Sequence, residues 1–153
     1  MLKLEHRVPP PLVGLIVAVA MWLLRGLPPG FTLATWLRES VSLLLVAAGV
    51  TFDFLGILAF LRQRTTINPM RPGNATTLVT GGVYRVTRNP MYVGMLLLLT
   101  AWGVQLSAPW PFLGPLAFVL YMNRFQIAGE ERALGERFGE AWSHYVARVR
   151  RWL

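Results

Sequence analysis

Between Arg88 and Arg124 the chain carries not one charged residue. A stretch that long has no stable place on a soluble globule, and it exceeds the ~20 apolar residues one helix needs to cross a bilayer. Ser107-Ala108-Pro109-Trp110-Pro111 interrupts it near the middle, where proline cannot continue a helical hydrogen-bond ladder. The pattern predicts a hairpin of two helices, about residues 91–106 and 110–125. Each is short for a span, so tilting, snorkelling or local thinning has to absorb the mismatch.

Two more apolar stretches precede the hairpin. Val8 to Leu24 opens with Pro9-Pro10-Pro11 after Lys3 and Arg7. It resembles a signal peptide, with Ala18-Val19-Ala20 as a weak cleavage site, but it stays apolar through Met21, Trp22, Leu23 and Leu24, where a cleaved leader turns polar. An uncleaved helix over about 9–25 is the better reading, closed by Gly26 and Pro28-Pro29. Val41 to Leu61 rises about 31 Å as a helix, long enough to span, and holds a single charge, Asp53. From residue 62 to 90 the chain is polar and broken by Pro69, Pro72, Gly73, Gly81 and Gly82. The tail, 127–153, repeats Ile127, Leu134, Phe138, Trp142, Tyr145 and Val149 along one helical stripe. Gly139 is positioned to split that tail in two, and its aromatics would turn toward the membrane surface.

Composition agrees with a lipid setting. Of 153 residues, 54% are hydrophobic and 14% charged, against roughly a quarter charged in soluble domains. The length suits one domain. The net charge is +8, and all but one of the 15 basic residues are arginine. These charges flank apolar runs instead of forming one basic face, so no nucleic-acid partner is expected. Cysteine is absent, which removes disulfides, thiolate metal sites and cysteine nucleophiles. With only His6 and His144, no metal site is expected either.

Basic residues set the expected orientation. Arg62, Arg64, Arg71, Arg85 and Arg88 lie in the 62–90 loop, and Arg124, Arg132, Arg137, Arg148, Arg150 and Arg151 in or beside the tail. The opposite side has Arg25 and Arg38. The expected fold class is therefore an all-α integral membrane protein of about four transmembrane helices. Its loop, tail and both termini are cytoplasmic, in a bacterial inner membrane. The Asn74-Ala75-Thr76 sequon falls on the cytoplasmic side and is discounted. No internal repeat is visible, and the sequence carries no sign of an oligomeric state.

Two segments on that cytoplasmic face could carry chemistry. One is Gly81-Gly82-Val83-Tyr84-Arg85-Val86-Thr87-Arg88-Asn89-Pro90-Met91-Tyr92-Val93-Gly94. Pro90 suits a first helical position, and Thr87 or Asn89 could cap the turn. The free N–H groups there, with Arg85 and Arg88 beside them, make a seat for a carboxylate or phosphate. Gly94 would let a helix or a flat ligand come close. An ordinary capped helix start with interfacial arginines reads equally well from these residues. The other segment is Glu130-Glu131-Arg132-Ala133-Leu134, followed by Phe138-Gly139 and Tyr145. Adjacent acids are odd near anionic headgroups, although a solvated helix face paired with Arg132 and Arg137 would also explain them. Asp53, ionisable inside a span, is either functional or bonded to a neighbouring helix.

Taken in order across the hairpin, these strings resemble the isoprenylcysteine carboxyl methyltransferases and the wider group that includes phospholipid N-methyltransferases. The resemblance covers about residues 62–151 and omits the first helix. It implies methyl transfer from S-adenosylmethionine to a lipid or prenylated acceptor. Carried over by position, Tyr84, Arg88, Asn89, Pro90, Tyr92, Gly94, Glu130, Glu131 and Leu134 would bind the donor. Arg88, Glu130 and Glu131 would be catalytic, and Leu134, Phe138 and Tyr145 would pack a lid. Asn89 stands where the family most often has histidine, so proton transfer is not assigned there. A carboxylate acceptor could be held by Arg85, Arg88 or Arg124, whereas an amine would need Glu130 or Glu131 as base. A lipid tail would enter sideways between the hairpin and the second span. Two rivals stay open: an NADPH-dependent sterol-type reductase, and a non-enzymatic membrane subunit whose arginines bind anionic lipid.

Overall fold

A computed structural model of the chain describes residues 8–63 and 76–153. Lys3, His6, Arg64, Pro69, Arg71, Pro72, Gly73 and the first two positions of the sequon lie outside the described residues, as does much of the 62–90 loop. Among the described residues all the regular secondary structure is helical. The α-helices are α1 (Pro10–Leu24), α2 (Thr35–Arg62), α3 (Pro90–Leu106), α4 (Leu113–Tyr121) and α5 (Ala128–Val146). A 3-10 turn, Gly82–Arg85, precedes α3, and another, Trp110–Phe112, precedes α4.

α2 is the one described helix both long and apolar enough to cross a membrane; α1 and α3 are apolar but shorter. It begins at Thr35 and not at Val41, so Arg38 and Glu39 lie in its opening turns. Long charged side chains are tolerated at such an end, because they reach past the apolar layer. The outward face of α2 is bare hydrocarbon: Leu43 and Leu44 are each 70% exposed. An apolar surface of this extent marks a face that meets something other than water.

Its inward face lies on α3, and glycines set the spacing. A Cβ on Gly94 would come 2.7 Å from the Gly49 carbonyl oxygen and closer still to the Asp53 carboxyl group. A Cβ on Gly49 would meet the Gly94 oxygen at 2.9 Å. Backbone-to-backbone contact of this kind needs residues without side chains. Opposite α2, α3 packs with α1 and α4 around Val13, Met21, Leu99, Phe118 and Met122, all buried. α3 ends at Ser107, whose left-handed backbone (φ 51°, ψ 40°) turns the hairpin.

The tail departs from the expected arrangement. No break separates it from the hairpin: α4 passes through a six-residue π-helix, Met122–Ile127, straight into α5. The sequence from Leu116 to Ala128 holds neither glycine nor proline, so nothing stops the helix, and the wider π turn absorbs its change of face. The kink expected at Gly139 is present (φ 49°, ψ −119°), a conformation open essentially to glycine alone.

Candidate functional site

The start of α3, the start of α5 and the last residues of the chain converge. Pro90 occupies the first position of α3, where its missing N–H costs nothing. Asn89 is the N-cap residue, but neither its side chain nor that of Thr87 makes the capping bond the sequence suggested. The Thr87 hydroxyl instead accepts the Asn89 backbone N–H at 3.1 Å, and the Asn89 side-chain amide donates to the Arg151 carbonyl at 2.9 Å. A short polar side chain here has a second backbone within reach, and that partner wins.

One turn into α3, the Tyr92 hydroxyl donates to the Glu130 carboxylate at 2.6 Å. The Gln126 amide, in the π-helix, reaches the same oxygen at 2.8 Å. Burial raises the Glu130 carboxyl to about 7; the two hydrogen bonds oppose that rise, and neighbouring Glu131 adds to it.

Glu131 points elsewhere. Its carboxylate lies 3.2 Å from an Arg88 amine nitrogen and accepts the Arg151 Nε–H at 3.0 Å. The second Glu131 oxygen accepts from Arg151 as well, making a two-pronged pair. The Arg88 side chain is 11% exposed, its guanidinium stands 5.8 Å over the Trp142 ring, and its Nε has no hydrogen-bond partner among the described residues. An orphaned donor on a buried cation costs free energy and calls for an explanation.

Tyr84 joins the group through its backbone: its carbonyl accepts the Tyr145 hydroxyl at 2.7 Å, while its ring meets Phe60 of α2 edge-on at 5.5 Å. Burial holds both phenols well above the ordinary tyrosine range; Arg88 pulls Tyr145 partly back. Leu134 and Phe138 are half-buried on α5. Gly94 faces α2, where Asp53 and Gly49 fill the space a side chain would take. Arg85 and Arg124 are exposed. Asn123, Gln126, Arg151 and Trp152 were not singled out in the sequence. Gln126 could have been found, since it stands one helical turn before Glu130. A crevice of about 490 Å³ between α2 and α3, lined by Glu39, Ser42, Trp102 and Gln105, opens toward the other end of α3.

The arrangement gathers a carboxyl group raised toward neutrality and an arginine that shares its counter-ion around one helix start. Comparison with known proteins bears on what such a group does. A family model described as phospholipid methyltransferase matches residues 37–141. The chain belongs to this family. That span takes in α2, α3, α4, the π-helix, both glutamates and the Gly139 kink. Relatives include a rice protein (Oryza sativa subsp. indica) described as a probable protein-S-isoprenylcysteine O-methyltransferase, 31% identical over 74% of this chain and 60% of its own length. An Arabidopsis thaliana protein-S-isoprenylcysteine O-methyltransferase B is 29% identical over 74% of this chain and 58% of its own. An uncharacterized Haemophilus influenzae protein is 44% identical over 41% of this chain and its entire length. The chain thus spans about three-fifths of the plant relatives. No solved structure gives a significant match. Family membership implies a methyl donor, and the plant relatives' names point to a prenylated acceptor for those proteins.

Proposed function

We propose that this phospholipid methyltransferase family member is an integral membrane enzyme that transfers a methyl group from S-adenosylmethionine to a lipophilic acceptor. Its closest functional likeness would be isoprenylcysteine carboxyl O-methylation. In this reading α1, α2, α3 and the α4–π unit are four spans of a single domain in a bacterial inner membrane. The arginine-rich loop and tail, with both termini, face the cytoplasm. The observation that carries the reading is the meeting of Tyr92–Glu130 with Arg88–Glu131 at the start of α3.

The residues fit the donor. Its carboxylate suits the Arg88 guanidinium, which shares its counter-ion with Arg151, and its ammonium or ribose hydroxyls suit the Glu130 carboxylate. Asn89, Pro90, Tyr84 and Leu134 would complete the walls. When bound, S-adenosylmethionine supplies an already activated methyl group on a sulfonium, so the protein's part is positioning and exclusion of water. Tyr92 and Gln126 fix the Glu130 carboxyl by two hydrogen bonds. Trp142 and Tyr145 cover Arg88 and Tyr84 from the tail side.

The acceptor chemistry divides two readings. A carboxylate acceptor needs no base, and the plant relatives' names favour it. An amine must lose a proton, and a Glu130 carboxyl near 7 is poised to receive it, which favours phospholipid N-methylation. Calorimetric titration of the detergent-solubilised protein with S-adenosylhomocysteine tests the donor site. Saturable binding that Arg88→Ala and Glu130→Ala each weaken at least tenfold is expected. Stabilisation by NADPH in place of the methyl donor would favour a reductase, and saturable binding of neither cofactor would favour a non-enzymatic subunit.

A further inference from the structure

After α5 the chain does not run off into solvent. Residues 147–153 turn back as a strap across the start of α3. The Arg88 backbone N–H donates to the Arg150 carbonyl at 2.9 Å. The Arg151 carbonyl accepts both the Thr87 hydroxyl at 3.1 Å and the Asn89 amide at 2.9 Å. The Trp152 indole N–H donates to Asn123 of the π-helix at 3.1 Å, and its ring packs against the apolar core.

Arg151 is the residue through which these contacts act together. Its carbonyl holds the two residues flanking Arg88, and its guanidinium grips Glu131, the counter-ion of Arg88. Arg88 and Arg151 share one carboxylate, so the trio keeps a net positive charge. Remove the second cation and Glu131 is left to Arg88 alone, which is neutralised and drawn toward α5. We propose that Arg151 is a positioning residue of this site: it holds Glu131 away from full pairing with Arg88 and so keeps the Arg88 guanidinium available to an anionic group. This rests on the donor reading for what that group is, but the coupling of the strap to Arg88 does not.

The test uses the full chain in detergent with Arg151→Met, which keeps an unbranched apolar stem without the charge, and Arg151→Lys, which keeps the charge. Hydrogen exchange reports on residues 87–93, and calorimetry on S-adenosylhomocysteine. Because Glu131 would then neutralise Arg88, Arg151→Met is expected to weaken binding roughly tenfold or more. Arg151→Lys should recover part of that loss, and the Arg88 amide should exchange faster in the methionine variant. Both variants should still melt cooperatively, because the α1–α3–α4 core is untouched. A methionine variant with wild-type affinity and wild-type exchange at Arg88 overturns the proposal. Equal losses in both variants overturn it too, since charge would then be irrelevant. Should the wild-type chain bind no donor, the reading under Proposed function falls. In that case faster exchange at Arg88 in Arg151→Met still supports the strap, and unchanged exchange sinks it.

Discussion

At the level of single residues, Arg88 and Arg151 share the Glu131 carboxylate, whereas Glu130 receives the Tyr92 hydroxyl and the Gln126 amide on one oxygen. Burial leaves Glu130 with a folded pKa near 7, against 4.5 for an ordinary glutamate. The native chain therefore holds a proton there that the unfolded chain has released, and stability is lost as pH rises from about 4.5 to about 7. The loss amounts to at most about 3 kcal/mol. Thermal melts between pH 5 and pH 8 should show the wild type falling and Glu130→Gln falling less; parallel curves would mean that the carboxyl is solvated. The two glutamates could not be told apart in the sequence, since only the direction of each side chain distinguishes them.

Elements raise a different question, because α5 does its work through a bend. Gly139 has a backbone conformation that other residues reach only with strain (φ 49°, ψ −119°). Gly139→Ala should cost about 1–3 kcal/mol and swing the second half of α5 away, breaking the Tyr145–Tyr84 bond. Faster hydrogen exchange in the 3-10 turn Gly82–Arg85 would register the change; unaltered exchange there would show that the bend is incidental. This bend was legible, as were the α3 start at Pro90 and the break at Ser107–Pro111, because glycine and proline advertise themselves locally. The π-helix was not legible, since it arises from packing and not from composition. Nor was the strap: its bonds are made largely to the carbonyls of Arg150 and Arg151, and no side-chain pattern marks a carbonyl that will be used.

Across the whole molecule, the absence of cysteine makes topology directly measurable. In cells expressing single-cysteine variants, Gly30→Cys, in the exposed segment between α1 and α2, should react with an impermeant maleimide from outside. Ser143→Cys, exposed on α5, should react only after permeabilisation. The reverse pattern would invert the proposed orientation, and labelling of both from outside would refute four spans. The glycine contact between α2 and α3 carries a further consequence for traffic. With Gly49 and Gly94 touching backbone to backbone, that seam is shut at their level to anything as thick as a hydrocarbon chain. In the proposed reading, a greasy guest bound for Glu130 cannot pass between the two helices there. Under the proposed function, two residues that need never touch the acceptor thus close one route to it.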